Sequence, residues 1–225
     1  MNKTSKLIIV GDSAFAEVAF EYFTHDSPYE VVAFSVEAAY LKRDKLFNLP
    51  IVAFESLEQR FSPQDCHVYV AIPYAQLNRL RTRLADSAKQ KGYRLASYVS
   101  SGAHVWPNAQ IGEHCFIFEQ NVIQPFVRIG NNVVLWSGNH IGHHSVIGDN
   151  CFFSSHVVIS GYVEIGANCF LGVNATIINN IKVGKDCWIA PSSTIIKDSP
   201  DGTMYRPPRT DVAPIDSLTF CGIRN

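Results

Sequence analysis

From Ala103 onward the chain repeats a block of six residues whose third position is apolar. Sixteen successive positions spaced by six, from Val105 to Ile195, are Val, Ile, Leu or Phe, with small or polar residues between them. That period fits neither an α-helix nor an alternating half-buried strand, and sustained over this length it predicts a parallel β-helix. A second period of eighteen lies on top. Gly112, Gly130, Gly148, Gly166 and Gly184 recur on it, each followed two residues later by a turn-forming His, Asn or Asp. Three hexads therefore make one coil of a triangular prism, and residues eighteen apart become neighbours at about 4.8 Å, the spacing of paired strands. Cys115, Cys151, Cys169 and Cys187 fall on this grid, with Val133 at the missing step. They are expected to be small inward-facing core residues, not disulfide or metal partners.

Residues 7–98 have a different texture. Short apolar runs at 7–10, 31–34, 67–72 and 94–99 alternate with helical patterns from Ala14 to Phe23 and from Ala75 to Gly92. This predicts a small α/β unit with a parallel sheet. Its first strand runs through Gly11-Asp12-Ser13 into a helix, the place where such folds hold a nucleotide. The motif G-x-G-x-x-G is absent, and a tight strand-to-helix turn needs a glycine in any case, so the sequence leaves nucleotide binding open here. The expected organisation is an α/β domain over residues 1–102, β-helical coils over 103–198 and a tail over 199–225.

Composition narrows the partners. With 225 residues and 47% apolar content the chain can bury a sizeable core. Nineteen basic and twenty acidic residues nearly cancel, so no global field draws it onto nucleic acid or an anionic membrane. The apolar run from Leu7 to Val10 is too short for a signal sequence or a membrane span, which suggests a cytoplasmic protein. None of the six cysteines forms a C-x-x-C pair.

The stretch NHIGHHSVIGDN places His140, His143 and His144 within five positions. On the coil grid Ile141 points inward, so His143 and His144 stand at the next corner facing out, with Gly161 one coil above His143. Three readings remain. A base beside a glycine N–H suits acyl transfer, which needs a proton acceptor and a dipole where the oxyanion develops. Polar corner residues need no task. A zinc site, such as those between subunits of carbonic-anhydrase-like hydratases built from these repeats, could use His104 and His140, but Ser145 stands where a third ligand is expected.

The order of a small α/β domain followed by hexapeptide coils, with His143-His144-Ser145-Val146-Ile147-Gly148-Asp149 at the middle coil, resembles the bacterial nucleotide-amino-sugar N-acyltransferases and the related NeuD-type sialic acid O-acetyltransferases. The resemblance spans about Lys6 to Asp198. It implies a left-handed β-helix, a homotrimer with active sites between subunits, and acetyl-CoA or another acyl-CoA as cosubstrate, without a metal. The acceptor it implies is the amine of a UDP- or dTDP-linked amino sugar in surface glycan synthesis. It further implies that His143 is the general base, that His144 orients it, and that the Gly161 N–H holds the thioester oxygen. The pantetheine arm would run past Val173 toward Pro191, and Ser13, Ala14, Phe15, Ser35, Glu37, Ile72 and Pro73 would hold the nucleotide.

Four departures accompany the resemblance. His144 replaces the acidic residue that usually follows the base. An acidic pair after the second strand becomes Ser35-Val36-Glu37, a glycine-rich step becomes Ala190-Pro191-Ser192, and the closing G-x-P-A becomes Arg206-Pro207-Pro208-Arg209. Arg206 and Arg209, following the last coil of a nearly neutral chain, are expected to hold donor phosphates. Trp136, Phe152 and Tyr162 are expected to supply apolar surface for the trimer. Sugar O-acetylation on the same scaffold is the alternative, and the missing acid leans toward the less demanding amine.

Overall fold

The computed structural model describes residues 2–223. Its N-terminal unit comprises β1 (Ser5–Val10), α1 (Ala14–His25), β2 (Tyr29–Val36), β3 (Lys45–Leu46), β4 (Leu49–Ala53), β5 (Cys66–Val70), α2 (Arg79–Gln90) and β6 (Arg94–Leu95). The sheet runs β3-β4-β2-β1-β5-β6 and is parallel except at the β3–β4 edge. Leu7 to Val10 form an unbroken apolar run because both faces of β1 are covered. Leu7 and Ile9 meet Phe15, Ala16 and Phe23 of α1, while Ile8 and Val10 meet Leu84, Ala85 and Ala88 of α2. Strand order reverses between β1 and β5, so Gly11 and Ile72 flank the crevice where open α/β sheets bind ligands.

The second helix starts later than its pattern suggests. Gln76, Leu77 and Asn78 have φ of 53°, 49° and 67°, left-handed backbone where Ala75 was expected to begin a helix. The reason is tertiary. Tyr74 packs its ring on Phe170 and Phe152 of the coils, with centroids at 4.5 and 5.2 Å, and the chain must double back from there into α2.

The remainder is a left-handed parallel β-helix of two-residue strands paired eighteen apart, as in Val122↔His140↔Val158. The second residue of each strand points inward, and the stack from Ile117 to Ile195 forms one continuous core that includes all four grid cysteines. Each thiol donates to a carbonyl of the next coil, Cys151 Sγ to Gly166 O at 3.2 Å and Cys169 Sγ to Gly184 O at 3.2 Å. Corners turn through left-handed residues: every sixth position from His114 to Ser192, Gly138 included, has φ between 57° and 77°. Asn, Asp and His occupy most of these sites because their short polar side chains tolerate that region.

The coils extend beyond the expected limits at both ends. Tyr98–Val99 already pairs with Phe116–Ile117, and Met204–Tyr205 pairs with Trp188–Ile189 inside the stretch read as a tail. Among the described residues no helix is long and apolar enough to cross a membrane.

Three outward ladders distinguish the faces. The first carries Tyr98, Phe116, Val134, Phe152, Phe170 and Trp188 and is covered by the α/β unit. The second is neutral, with His104, Val122, His140, Val158, Thr176 and Thr194. The third is charged, with Arg128, Glu164 and Lys182. Trp136 and Phe152 therefore do not offer surface to another subunit as expected. Phe15 of α1 packs against both within the chain, at 5.7 and 6.5 Å, and only Tyr162 stays exposed.

A buried polar cluster locks the two units together. Arg81, with no exposed surface, donates to Asn132 Oδ1 and O at 2.9 and 2.8 Å, and His114 joins Asn132 Oδ1 through Nδ1 at 2.8 Å. The Val70 N–H donates to His114 Nε2 at 2.9 Å, which places the His114 proton on Nδ1. Burial, reinforced by the Arg81 guanidinium, pushes the His114 pKa down to about 3.

Candidate active site

His143 and His144 stand on the corner between the neutral and charged faces, diagonally away from the face that carries the α/β unit. The left-handed turn at His144 (φ 61°) sends the chain from His140–Ile141 into Val146–Ile147. The His143 imidazole lies over Gly161, as the grid predicted. A Cβ added to Gly161 would fall 2.7 Å from His143 Cε1 and 2.8 Å from Nε2, so only glycine permits this approach. Main-chain groups hold both residues: the His143 N–H donates to Gln124 Oε1 at 2.9 Å, the His144 N–H to Pro125 O at 3.1 Å, and the Tyr162 N–H to His143 O at 3.0 Å.

The two rings meet at nitrogen. His143 Nδ1 and His144 Nδ1 are 3.1 Å apart, a hydrogen bond that leaves His143 Nε2 without a partner among the described residues. Among the described residues no carboxylate bonds to either histidine, so a neighbouring acid does not replace the missing partner. Instead His144 is stacked between Phe126 and Tyr162, at 4.5 and 4.7 Å with interplanar angles of 27° and 15°. These are the corner residues one coil below and one above. The eighteen-residue arithmetic could have found both.

The Gly161 N–H is engaged. It donates to Asn179 Oδ1 at 3.2 Å, the side chain one further coil up, so it is free for another acceptor only when Asn179 turns aside. Val173 and Pro191 do not join this site within one chain. They stand on the next corner, across the neutral face, where Gly172 leaves room for Pro191 and the Ser192 N–H donates to Val173 O at 2.8 Å. Arg206 is seated on that second corner by Ser193 Oγ, which donates to Arg206 O at 3.3 Å, while Arg209 is exposed beyond it.

The crevice of the α/β unit brings together only part of the expected nucleotide set. Ser13 caps α1 without a side-chain bond, so its hydroxyl does not satisfy the first-turn N–H groups next to Gly11. Ile72 reaches within 3.4 Å of the Cβ position of Gly11, and Pro73 follows it. The Phe15 side chain, 5% exposed, is given over to packing between the units, so only its backbone can serve a ligand. Ser35 is fully buried and its hydroxyl has no partner. Glu37 is gripped by Arg83 through two bonds of 3.0 and 2.9 Å, and Arg43 pairs with Asp12 at 3.2 Å. Neither arginine was singled out in the sequence, because a cation within a helix pattern or a loop carries no spacing signal.

Two other features bear on the chemistry. His104 and His140 are separated by Val122 on the neutral face, and the Ser145 hydroxyl is buried, donating to Ser160 O at 2.9 Å. Among the described residues no group of three or more His, Cys, Asp or Glu could hold a metal. A hollow of about 710 Å³ on the charged face is lined by Arg128, Glu164, Lys182, Asp198 and Ser199, with no histidine in the lining, and the buried Ser199 hydroxyl is bonded to the Tyr205 hydroxyl at 2.7 Å.

Comparison with known proteins agrees with the coils. Residues 126–161 match the family described as bacterial transferase hexapeptide (six repeats), and residues 162–190 that described as hexapeptide repeat of succinyl-transferase. PerB from Caulobacter crescentus, solved in complex with CoA and GDP-perosamine, is 24% identical over 89% of this chain and 93% of its own, with a TM-score of 0.78. The acetyltransferase domain of PglB from Neisseria gonorrhoeae FA1090 is 22% identical over 89% and 96%, with a TM-score of 0.79. WeeI from Acinetobacter baumannii AYE is 18% identical over 89% and 96%, with a TM-score of 0.61. No curated protein sequence matches significantly. At these identities the likeness establishes a shared two-part fold.

Proposed function

We propose that the chain is an acyl-CoA-dependent N-acyltransferase that moves an acetyl group onto the amine of a nucleotide-linked amino sugar. The observation that carries this reading is the His143 imidazole over Gly161, with Nδ1 bonded to His144 and Nε2 without a partner among the described residues. His143 Nε2 takes the proton from the amine as it attacks the thioester carbonyl. The Gly161 N–H receives the developing oxyanion once Asn179 has turned aside. The intermediate then collapses, and the proton on His143 passes to the leaving thiolate. The grid cysteines are buried in the core, so the transfer is direct, without an acyl-enzyme.

The site is shared between copies in a homotrimer. His143 lies on a corner remote from its own nucleotide crevice, and Val173, Pro191 and Arg206 lie on a different corner from Gly161. A neighbour that presents its second corner to the first corner of this chain completes a donor groove. Val173 and Pro191 would then form an apolar ledge for pantetheine, with Arg206 and Arg209 near the phosphates. The uncharged ladder from His104 to Thr194 is the face that such packing can bury without desolvating a formal charge. That PerB was solved with CoA and GDP-perosamine supports both ligand classes.

The test is thiol release from acetyl-CoA with a panel of UDP-, dTDP- and GDP-linked amino sugars, each beside its hydroxyl analogue. The reading expects release with at least one amine and not with its hydroxyl partner. Release with hydroxyl analogues alone would assign O-acetylation. Sedimentation at micromolar concentration should show a trimer, and monomer alone would contradict the shared site.

A further inference from the structure

The partner of His143 is built unlike an ordinary orienting group. His144 is held by two aromatic faces and, among the described residues, by no anion. Its neighbours Phe126 and Tyr162 are 56% and 53% exposed and adopt left-handed backbone, with φ of 65° and 59°. Bulky aromatics are disfavoured in that region, and side chains this exposed contribute little to a core. Both rings instead lie nearly parallel to the imidazole between them, at 4.5 and 4.7 Å. Such a sandwich attracts a cation far more than a neutral ring, because the negative faces of both aromatics point at it. The His143 Nδ1 to His144 Nδ1 bond of 3.1 Å supplies the route by which charge can arrive there.

We propose that His144 receives the charge of the transferred proton and that Phe126 and Tyr162 stabilise it. Before reaction His143 carries its proton on Nδ1 and His144 on Nε2. When His143 Nε2 takes the amine proton, the N–H bond at His143 Nδ1 breaks and a new one forms at His144 Nδ1. His143 is then neutral with its proton on Nε2, and His144 is an imidazolium between the two rings. Collapse of the tetrahedral intermediate reverses the shift: His144 Nδ1 returns its proton to His143 Nδ1 as His143 Nε2 delivers its own to the thiolate. An aromatic box thus does what a carboxylate beside the base would do by charge. Phe126 and Tyr162 are positioning residues that act through His144, and Tyr162 also meets the His143 ring edge-on, with centroids at 5.2 Å. The proposal rests on His143 being the base.

A double-mutant cycle separates this role from packing. Phe126→Leu with Tyr162→Leu keeps apolar bulk and removes the aromatic faces, and His144→Gln keeps a hydrogen-bond acceptor that cannot hold the proton. The paired Leu variant should lower kcat about 3- to 30-fold, the range for a stacked cation, with either KM changed less than about twofold. In the His144→Gln background the same pair should cost less than about twofold, because no cation remains to stabilise. Phe126→Tyr with Tyr162→Phe should retain the wild-type rate. Equal losses in both backgrounds would overturn the proposal, leaving the rings as packing alone. Abolished turnover in His144→Gln would also overturn it, since His144 would then be the base. An unchanged rate in His143→Asn would instead remove the underlying reading. Thermal unfolding midpoints within a few degrees of wild type confirm that each variant is folded.

Discussion

The Gly161 N–H and Asn179 Oδ1 lie 3.2 Å apart on adjacent coils, so the dipole proposed to meet the acyl carbonyl is already bonded within the chain. Asn179→Ala frees that N–H, and the rate should hold or rise by up to about tenfold if the bond must break during turnover. Asn179→Asp places an anion where negative charge develops and should lower kcat by about 10- to 10³-fold, comparable to losing an oxyanion donor. A loss in Asn179→Ala as large as that in Asn179→Asp would mean that the Asn179 amide itself contacts the substrate.

The junction between the two units should be acid-sensitive. The folded-state pKa of His114 lies near 3, below its ordinary value of 6.5, so the unfolded chain binds an extra proton between those values. Its contribution is complete above pH 6.5 and is lost as pH falls. His67, also depressed chiefly by burial, acts in the same direction. Urea unfolding midpoints should drop between pH 6.5 and 4.5, before the carboxylates titrate. His114→Gln should flatten that drop, and an undiminished drop would assign it to His67 or to another group.

Cys151→Ala and Cys169→Ala each remove a buried thiol that fills the prism and donates to the next coil. Stability should fall by about 1 kcal/mol or more in each, with turnover at permissive temperature nearly intact. Abolished turnover in a well-folded variant would show that a cysteine reaches the site.

Neutralising Arg206 and Arg209 together should raise the KM for the acyl donor more than that for the sugar. Arg206 is fixed beside Ser193 on the corner that carries Pro191, which gives this expectation its geometry. An unchanged donor KM would mark both residues as solvated surface.

Much of the β-helix was legible because its signal is periodic. A buried third position recurs from Ile117 to Ile195, and the αL corners declare themselves through Asn132, Asn150, Asn168 and Asp186. The last coil was not legible because Trp188 pairs with Met204 across sixteen residues instead of eighteen, and the repeat breaks there. Tyr98–Val99 fits the grid, but a two-residue strand does not announce which sheet it joins. Periodicity marks a side chain as outward without saying what covers it, which is why Trp136 and Phe152 were placed in a subunit interface. The His143–Gly161 step followed from arithmetic alone. The engagement of Glu37 by Arg83 and of the Gly161 N–H by Asn179 depends on side-chain directions that no spacing encodes.

The base proposed for amine acylation is His143. The decisive measurement is the rate of amine-dependent thiol release from acetyl-CoA, wild type against His143→Asn, at saturating donor. Asn replaces one exposed polar corner residue with another, so the fold should persist. With His143 as base, kcat should fall by about 10²- to 10⁴-fold, the usual share of a general base, with the trimer intact. A folded His143→Asn enzyme that turns over at the wild-type rate would contradict that assignment.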